Sequence, residues 1–355
     1  MDPLLFDAVA AIAKILFVWA VVLAALLPNL VLLERRGAAL IQDRPGPNRV
    51  GPFGLFQALA DVVKMFMKED MVPLYADRLL YNLAPLITMI PALTTFAVIP
   101  FGSSISVTIG GIEHTVPLVI ADVNVGILYV FALTSLGVYG LVLAGWSSND
   151  KFSLMGGIRS SAQIISYELA MGIAAIGVFL AAGSLRLPAV VAYQHHGTFL
   201  GFLPHWNCFP QLIGCVIFVV SAFAETNRLP FDLAEADAEL VAGFHTEYSA
   251  FKFGMFFMGE YANMVAASAL IVTLYFGGWS LPGLALTGLW GGLASIAIFA
   301  VKTFFFIWLF IWVRWTLPRF RYDQLMAIGW KVFLPLSLLN LLWTGWLVLA
   351  SGGRV

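Results

Sequence analysis

Long apolar runs separated by short charged connections dominate the chain. Runs near the length of a membrane crossing recur at 8–33, 79–100, 123–146, 161–184, 209–223, 253–276, 289–313 and 325–350. A helix of about 20 apolar residues crosses a hydrocarbon core of roughly 30 Å. The pattern therefore predicts an all-α integral membrane protein with about eight transmembrane helices. The fifth is short unless it extends into the charged segment after it. Pro28, Pro85, Pro91 and Pro335 fall inside predicted spans, where neighbouring helices can tolerate the kinks they introduce.

One amphipathic stretch lies between the first two spans. In residues 55–68, LFQALADVVKMFMK, the side chains Leu55, Phe56, Leu59, Val62, Val63, Phe66 and Met67 follow the rhythm of one helical face. Gln57, Asp61, Lys64 and Lys68 take the other face. The segment is too short to span, so an interfacial helix is expected. The RPGPNRVGP before it is a turn-rich connector on which no helix can run. Two roles stay open for this helix: packing a loop, or walling a slot for a lipophilic ligand together with the end of the first span. In the second case Glu34, Arg35 and Arg36, at the mouth of that span, would orient a polar head group, and Ala58 and Leu59 would face the slot.

Composition agrees with the pattern. The 355 residues are 61% hydrophobic and 11% charged, against about 25% charged in soluble domains. A net charge of -1 and the lack of a basic run exclude nucleic acid as a partner. Cys208 and Cys215 lack metal-ligand spacing and read as small buried side chains, and no metal site is expected. The acidic start, with Asp2 and Asp7, does not resemble a cleaved signal. Neither a repeat nor a dividing linker is visible, so residues 1–355 read as a single polytopic membrane domain.

Lys and Arg set the expected orientation. Arg35, Arg36, Arg44, Arg49, Lys64, Lys68 and Arg78 follow the first span, and alternate connections add Lys151, Arg159, Arg228, Lys252, Arg314, Arg319 and Arg321. The opposite side carries Arg186 and Arg354. Both termini are thus expected outside, with the 34–78 and 224–252 loops facing the cytoplasm or its organellar equivalent.

The segment 223–261 carries the chemistry. Glu225, Asp232, Glu235, Asp237, Glu239, Glu247 and Glu260 are interleaved there with Phe, Leu, Val and Ala. Charged groups near the hydrocarbon layer are costly and mark ion paths, proton relays or ligand sites. Glu235 and Glu239 are i, i+4, so they share a helical face and repel. With partial burial, at least one of the two should bind protons near neutral pH. Glu225 and Arg228 are i, i+3 and are expected to pair. Pro230 ends that turn, and Phe231 and Asp232 should begin a re-entrant stretch sheltered by protein. Glu168 lies within the fourth span with no Lys or Arg at i±3 or i±4, which favours a proton-path role over a structural hydrogen bond. Lys302 and Lys331 could snorkel or meet a partner subunit. His245 could join a relay or simply pack. No nucleotide, nucleophile-elbow or haem motif is present.

Two long motifs carry a family likeness. ERRGAALIQDRPGPNRVGPFGLFQALADVVKMFMKED at 34–70 and AETNRLPFDLAEADAELVAGFHTEYSAFKFGMFFMGEY at 224–261 resemble the H-subunit family of respiratory complex I. With the eight-helix pattern, the likeness covers nearly the whole chain. It implies a membrane subunit of proton-pumping NADH:quinone oxidoreductase that forms much of a quinone chamber and docks the peripheral subunits. The implied chamber or charged-loop residues are Glu34, Arg35, Arg36, Asp61 and Arg228. Glu168, Glu225, Glu235, Asp237, Glu239, Glu247 and Glu260 match the acidic path toward the antiporter-like subunits. Asp237 stands where the family usually has Glu, which keeps the charge and shortens its reach. The likeness further implies quinone as substrate (ubiquinone ahead of menaquinone) and no prosthetic group held by this chain. It also implies other membrane and peripheral subunits and lipid as partners, in a bacterial inner membrane or alternatively an organellar one.

Three other readings compete. Homologous subunits of membrane-bound hydrogenase complexes use no quinone. An independent ion-conducting transporter would need ionisable groups toward the outer side, where few are present. A purely structural anchor would leave Glu168 and Glu260 without a role.

Overall fold

Helices form where the apolar pattern places them, and the prolines shape them. The computed structural model describes residues 3–109, 112–195, 198–199, 203–234, 236–282, 284 and 288–350. The first crossing runs through α1 (Pro3–Trp19), a π-helical stretch (Ala20–Leu26) and α2 (Leu27–Ile41). The last runs through α12 (Tyr322–Ala327), a second π stretch (Ile328–Phe333) and α13 (Leu334–Ala350). Pro28 and Pro335 each stand two positions past the end of a π stretch. A proline ring clashes with the carbonyl four residues back, and in both cases that carbonyl belongs to the widened turn. Pro85 and Pro91 are instead absorbed within α4 (Arg78–Thr94).

The other crossings are α5 (Gly126–Ser147), α6 (Lys151–Ala182), α10 (Ala250–Tyr275) and α11 (Gly288–Thr316). Among the described residues seven helices are long and apolar enough to cross a membrane, and α8 (Leu212–Glu225) is a shorter apolar one. The remaining helices are α3 (Gln57–Met67), α7 (Leu187–His195) and α9 (Asp237–Leu240). Carboxylates at the helix starts cap free N–H groups. Asp77 accepts from Leu79 and Leu80 to open α4, and Asp150 accepts from Phe152 and Ser153 to open α6.

Apolar side chains also cover the outside of the bundle. Trp308, Trp312, Trp343, Trp346 and Leu349 are all exposed on α11 and α13. A water-soluble chain could not leave so much apolar surface uncovered, whereas a bilayer removes the cost. This is a multi-pass membrane protein. The centre of the bundle is α10, where every residue from Tyr261 to Tyr275 is buried except Asn263.

Three features add to the expected picture. The first crossing stays helical to Ile41, so Glu34, Arg35 and Arg36 lie within the helix, in its last turns. A two-stranded antiparallel hairpin, β1 (Ser104–Ile109) with β2 (Ile112–Pro117), occupies the connection after α4, where the apolar pattern gives no sign of it. It packs on α11, with Ser103 N–H bonded to Ser295 Oγ beside it. Lys302 finds its partners within the chain. Its Nζ donates to the carbonyls of Phe276 (2.8 Å), Gly278 (3.1 Å) and Ser280 (2.7 Å), where a cation complements the C-terminal end of α10.

Candidate functional site

Helices α2, α10 and α11 and the connection after α8 are laced together by charge. Glu34 on α2 is 4% exposed, and its carboxylate accepts from Arg228 Nη1 at 2.8 Å and from the Tyr261 hydroxyl at 2.7 Å. Arg314, in the last turn of α11, donates to its other oxygen. Arg228 also reaches Glu260 on α10, Nε to Oε1 at 2.6 Å, and its guanidinium lies 4.4 Å from the Tyr261 ring centre. Two buried acids and two arginines therefore neutralise one another. Buried charges persist only when paired and hydrogen-bonded in this way.

The expected pairing of Glu225 with Arg228 is replaced by this cluster. The i, i+3 rule needs a continuous helix, and α8 ends at Glu225. The chain reverses through Asn227, which has φ +47°, and carries Arg228 across to Glu34 and Glu260. Asn227 is itself held by Gln163 at 3.1 Å and Ser160 at 3.0 Å, both on α6.

Beyond Arg228 the loop is sheltered by protein, as the sequence suggests. Phe231, Leu233, Ala234, Ala236, Leu240 and Phe244 are buried. Asp232 pairs with Arg319 at 3.1 Å; burial pushes its carboxyl up, against the pull of Arg319. Ser153 of α6 donates to the Phe244 carbonyl at 2.9 Å. One turn on, a Cβ at Gly156 would meet Gly243 Cα and Phe244 N at 2.6 Å. Those contacts are backbone, so Gly156→Ala should lift the 243–245 turn at a cost of about 1–3 kcal/mol. Faster hydrogen exchange across 240–248 is the expected result; unchanged protection would show that the contact is soft.

A cavity of about 50 Å³ borders this cluster, lined among others by Thr88, Thr134, Glu225, Asn227, His245 and Glu260. Each water needs roughly 10–15 Å³ on this measure, so about three to five fit. Glu168 sits behind it on α6, accepting from Ser135 Oγ and from Thr134 Oγ1 at 3.4 Å. Thr134 also lines the cavity together with Glu225. His245 lies in an aromatic cage of Phe244, Phe253 and Phe257.

The remaining acids separate from this interior group. Glu239 is half-exposed and paired with Arg159 at 2.8 Å, and Glu247 is exposed. Glu235, and with it the expected Glu235–Glu239 pairing, lies outside the described residues, as does the side chain of Asp237.

The segment expected to be interfacial forms α3. Asp61 on α3 accepts from Arg35 at 2.7 Å, which joins α3 to α2. Ala58 is buried on this inner edge and Phe66 stacks on Phe251 of α10, while Leu59 and Val63 are exposed. Ala58 and Leu59 thus take different environments in this chain. Helical geometry sets neighbouring positions about 100° apart. Arg36 lies against the turn-rich connector, near Gly46.

Sequence reasoning missed Arg314, Tyr261 and Thr134. Arg314 reads as a topological anchor because its partner is 280 positions away. Tyr261 adjoins Glu260 in MGEY, and a phenol beside an intramembrane acid is a usable signal.

These features define a class: a multi-pass helical membrane protein with a neutralised buried ion cluster beside a cavity lined by both polar and apolar side chains. A family model described as NADH dehydrogenase matches residues 13–345. The NADH-quinone oxidoreductase H subunit of Salinibacter ruber is 50% identical over 339 residues, covering 93% of each chain. The first of the numbered NADH-quinone oxidoreductase H subunits of Geobacter metallireducens is 50% identical over 349 residues, covering 98% of this chain and 99% of that protein. NADH-quinone oxidoreductase subunit 8 of Rhodothermus marinus is 50% identical over 346 residues, covering 91% and 95%. The chain belongs to the NADH dehydrogenase family and, within it, to the group of these H subunits.

Proposed function

We propose that this chain is the membrane subunit of an NADH-quinone oxidoreductase that couples quinone reduction to proton translocation. It works as one part of the enzyme, a single polytopic domain in a bacterial inner membrane. The Lys/Arg-rich connections face the cytoplasm, and both termini lie outside. Its basic loops dock the peripheral subunits that deliver electrons, and its lateral surface meets lipid and other membrane subunits.

The observation that carries this reading is the reach of Arg228 between two acids. Glu34 lies on α2, the helix that α3 joins through Arg35 and Asp61. Glu260 lies on the wall of the cavity that also holds Glu225. A quinone bound between α2, α3 and α10 gains charge and takes up protons as it is reduced. That change in field reaches Glu34 first, then Glu260 through Arg228. The cavity waters link Glu260 to Glu225, and Thr134 links Glu225 to Glu168. Arg35, Arg36 and Asp61 shape the chamber mouth. Glu239 and Glu247, both exposed, stand at the outer end of the acidic path, where water can substitute for either carboxyl; Glu235 and Asp237 also belong to that path. No step of the electron transfer itself falls to this chain.

The chamber is tested at its inner edge. Ala58→Phe, placed in the whole complex, should raise KM for long-tailed quinones about tenfold or more, the expected scale of overpacking. Short-tailed quinones should be nearly unaffected, and Leu59→Ala, on the outward face, should change neither. Equal losses with both tail lengths would place the quinone elsewhere. Partners and the quinone type follow from purifying the native assembly and extracting its bound quinone.

A further inference from the structure

On the most enclosed helix of the bundle, one side-chain amide oxygen has no hydrogen-bond partner among the described residues. Asn263 is the sole residue between Tyr261 and Tyr275 that is not fully buried. Its Oδ1 is enclosed and has no hydrogen-bond partner among the described residues. Two cavities explain its surroundings. Asn263 lines the cavity of about 50 Å³ beside Glu225 and Glu260, and also a second of about 10 Å³. That second space is otherwise walled mainly by Val130, Phe131, Met171, Phe218 and Leu270. Asn263, Thr134 and Glu225 are shared by both cavities.

Glu260 and Glu225 sit on different helices and need a carrier between them. A buried water is held by two to four polar groups, and an enclosed amide oxygen without a partner is costly unless water reaches it. The terminal torsion of Asn is broad, so the amide can turn its oxygen into the larger cavity without strain. Glu260 is one turn away on the same face, at i−3.

We propose that Asn263 is a positioning residue that binds a water molecule between the carboxyl groups of Glu260 and Glu225. The water accepts a proton from one carboxyl as it gives one to the other, so no charge is left on it. Asn263 neither gains nor loses a proton. The apolar walls of the smaller cavity stop the chain of waters there and direct the proton sideways, toward Thr134 and Glu168. This inference rests on the carboxylate row proposed above.

The test uses the complete assembly carrying Asn263→Leu, Asn263→Ser or Glu225→Gln, with assembly checked by native electrophoresis. Leu fills the space and offers no hydrogen bond, so quinone-linked turnover should fall about tenfold or more at unchanged quinone KM. Ser leaves room for the water and a hydroxyl to hold it, so its turnover should return to within about twofold of the parent. A high-resolution map should show an ordered water about 3 Å from the Asn263 amide, absent in the Leu variant. Normal turnover in Asn263→Leu, or a loss that Ser does not restore, would overturn the water site. If Glu225→Gln is impaired while Asn263→Leu is normal, only the water site falls. If Glu225→Gln is normal as well, the carboxylate row falls with it.

Discussion

Replacing Arg228 by Met is expected to cost the fold more than any other single change at this site. The guanidinium is 2% exposed and neutralises Glu34 and Glu260 together. Met fills a similar volume but leaves Glu260 without its ion pair and Glu34 with only Arg314 and Tyr261. Removing one partner of a buried ion pair costs about 3–5 kcal/mol. The complex should melt at a lower temperature, or lose this subunit during purification. Protonation would neutralise the orphaned carboxyl. The native variant therefore binds more protons than its unfolded form, and its stability deficit shrinks as pH falls. Lys should not rescue it: one ammonium cannot span Glu34 and Glu260 as the planar guanidinium does, which hydrogen-bonds Glu34 through Nη1 and pairs by charge with Glu260. Parent-like melting in Arg228→Met, flat with pH, would mean that the cluster is not held by charge pairing.

Much of this architecture is legible in the sequence because bilayer physics is strict. Apolar length fixes the crossings, and the period of 3.6 exposes α3 as interfacial. The 34–70 and 224–261 motifs hold every residue of the buried cluster except Arg314. What stays hidden is partner choice. Spacing assigns Arg228 to its nearest acid in sequence, yet the reversal at Asn227 sends it to residues 194 and 32 positions away. Local spacing cannot anticipate a turn that ends a helix. The division of the acids into an interior group and a solvent-facing group is equally invisible, since Glu225 and Glu239 look alike on paper. The hairpin β1–β2 escapes notice because its strands lie in a connection whose alternation is short beside the long apolar runs around it.

The second large effect is expected at Glu225. It alone among the acids lines both cavities, and it stands between the pair formed by Arg228 with Glu260 and the Glu168 side of the bundle. Gln preserves its size and polarity, so packing and assembly should survive, but an amide cannot take up and release a proton at working pH. General acid–base roles of this kind contribute about 10²–10⁴ in rate. Glu239 provides the contrast. Its side chain is 52% exposed and its pairing with Arg159 is a surface one, worth about 0–1 kcal/mol. Glu239→Gln should stay within about twofold of the parent, the change expected from so weak a contact.

The most direct test is to reconstitute the Glu225→Gln complex in vesicles and record NADH oxidation and proton translocation together. With assembly intact, both should fall at least about a hundredfold, the low end of that range. Parent-like oxidation with parent-like translocation would contradict the carboxylate row as the coupling element.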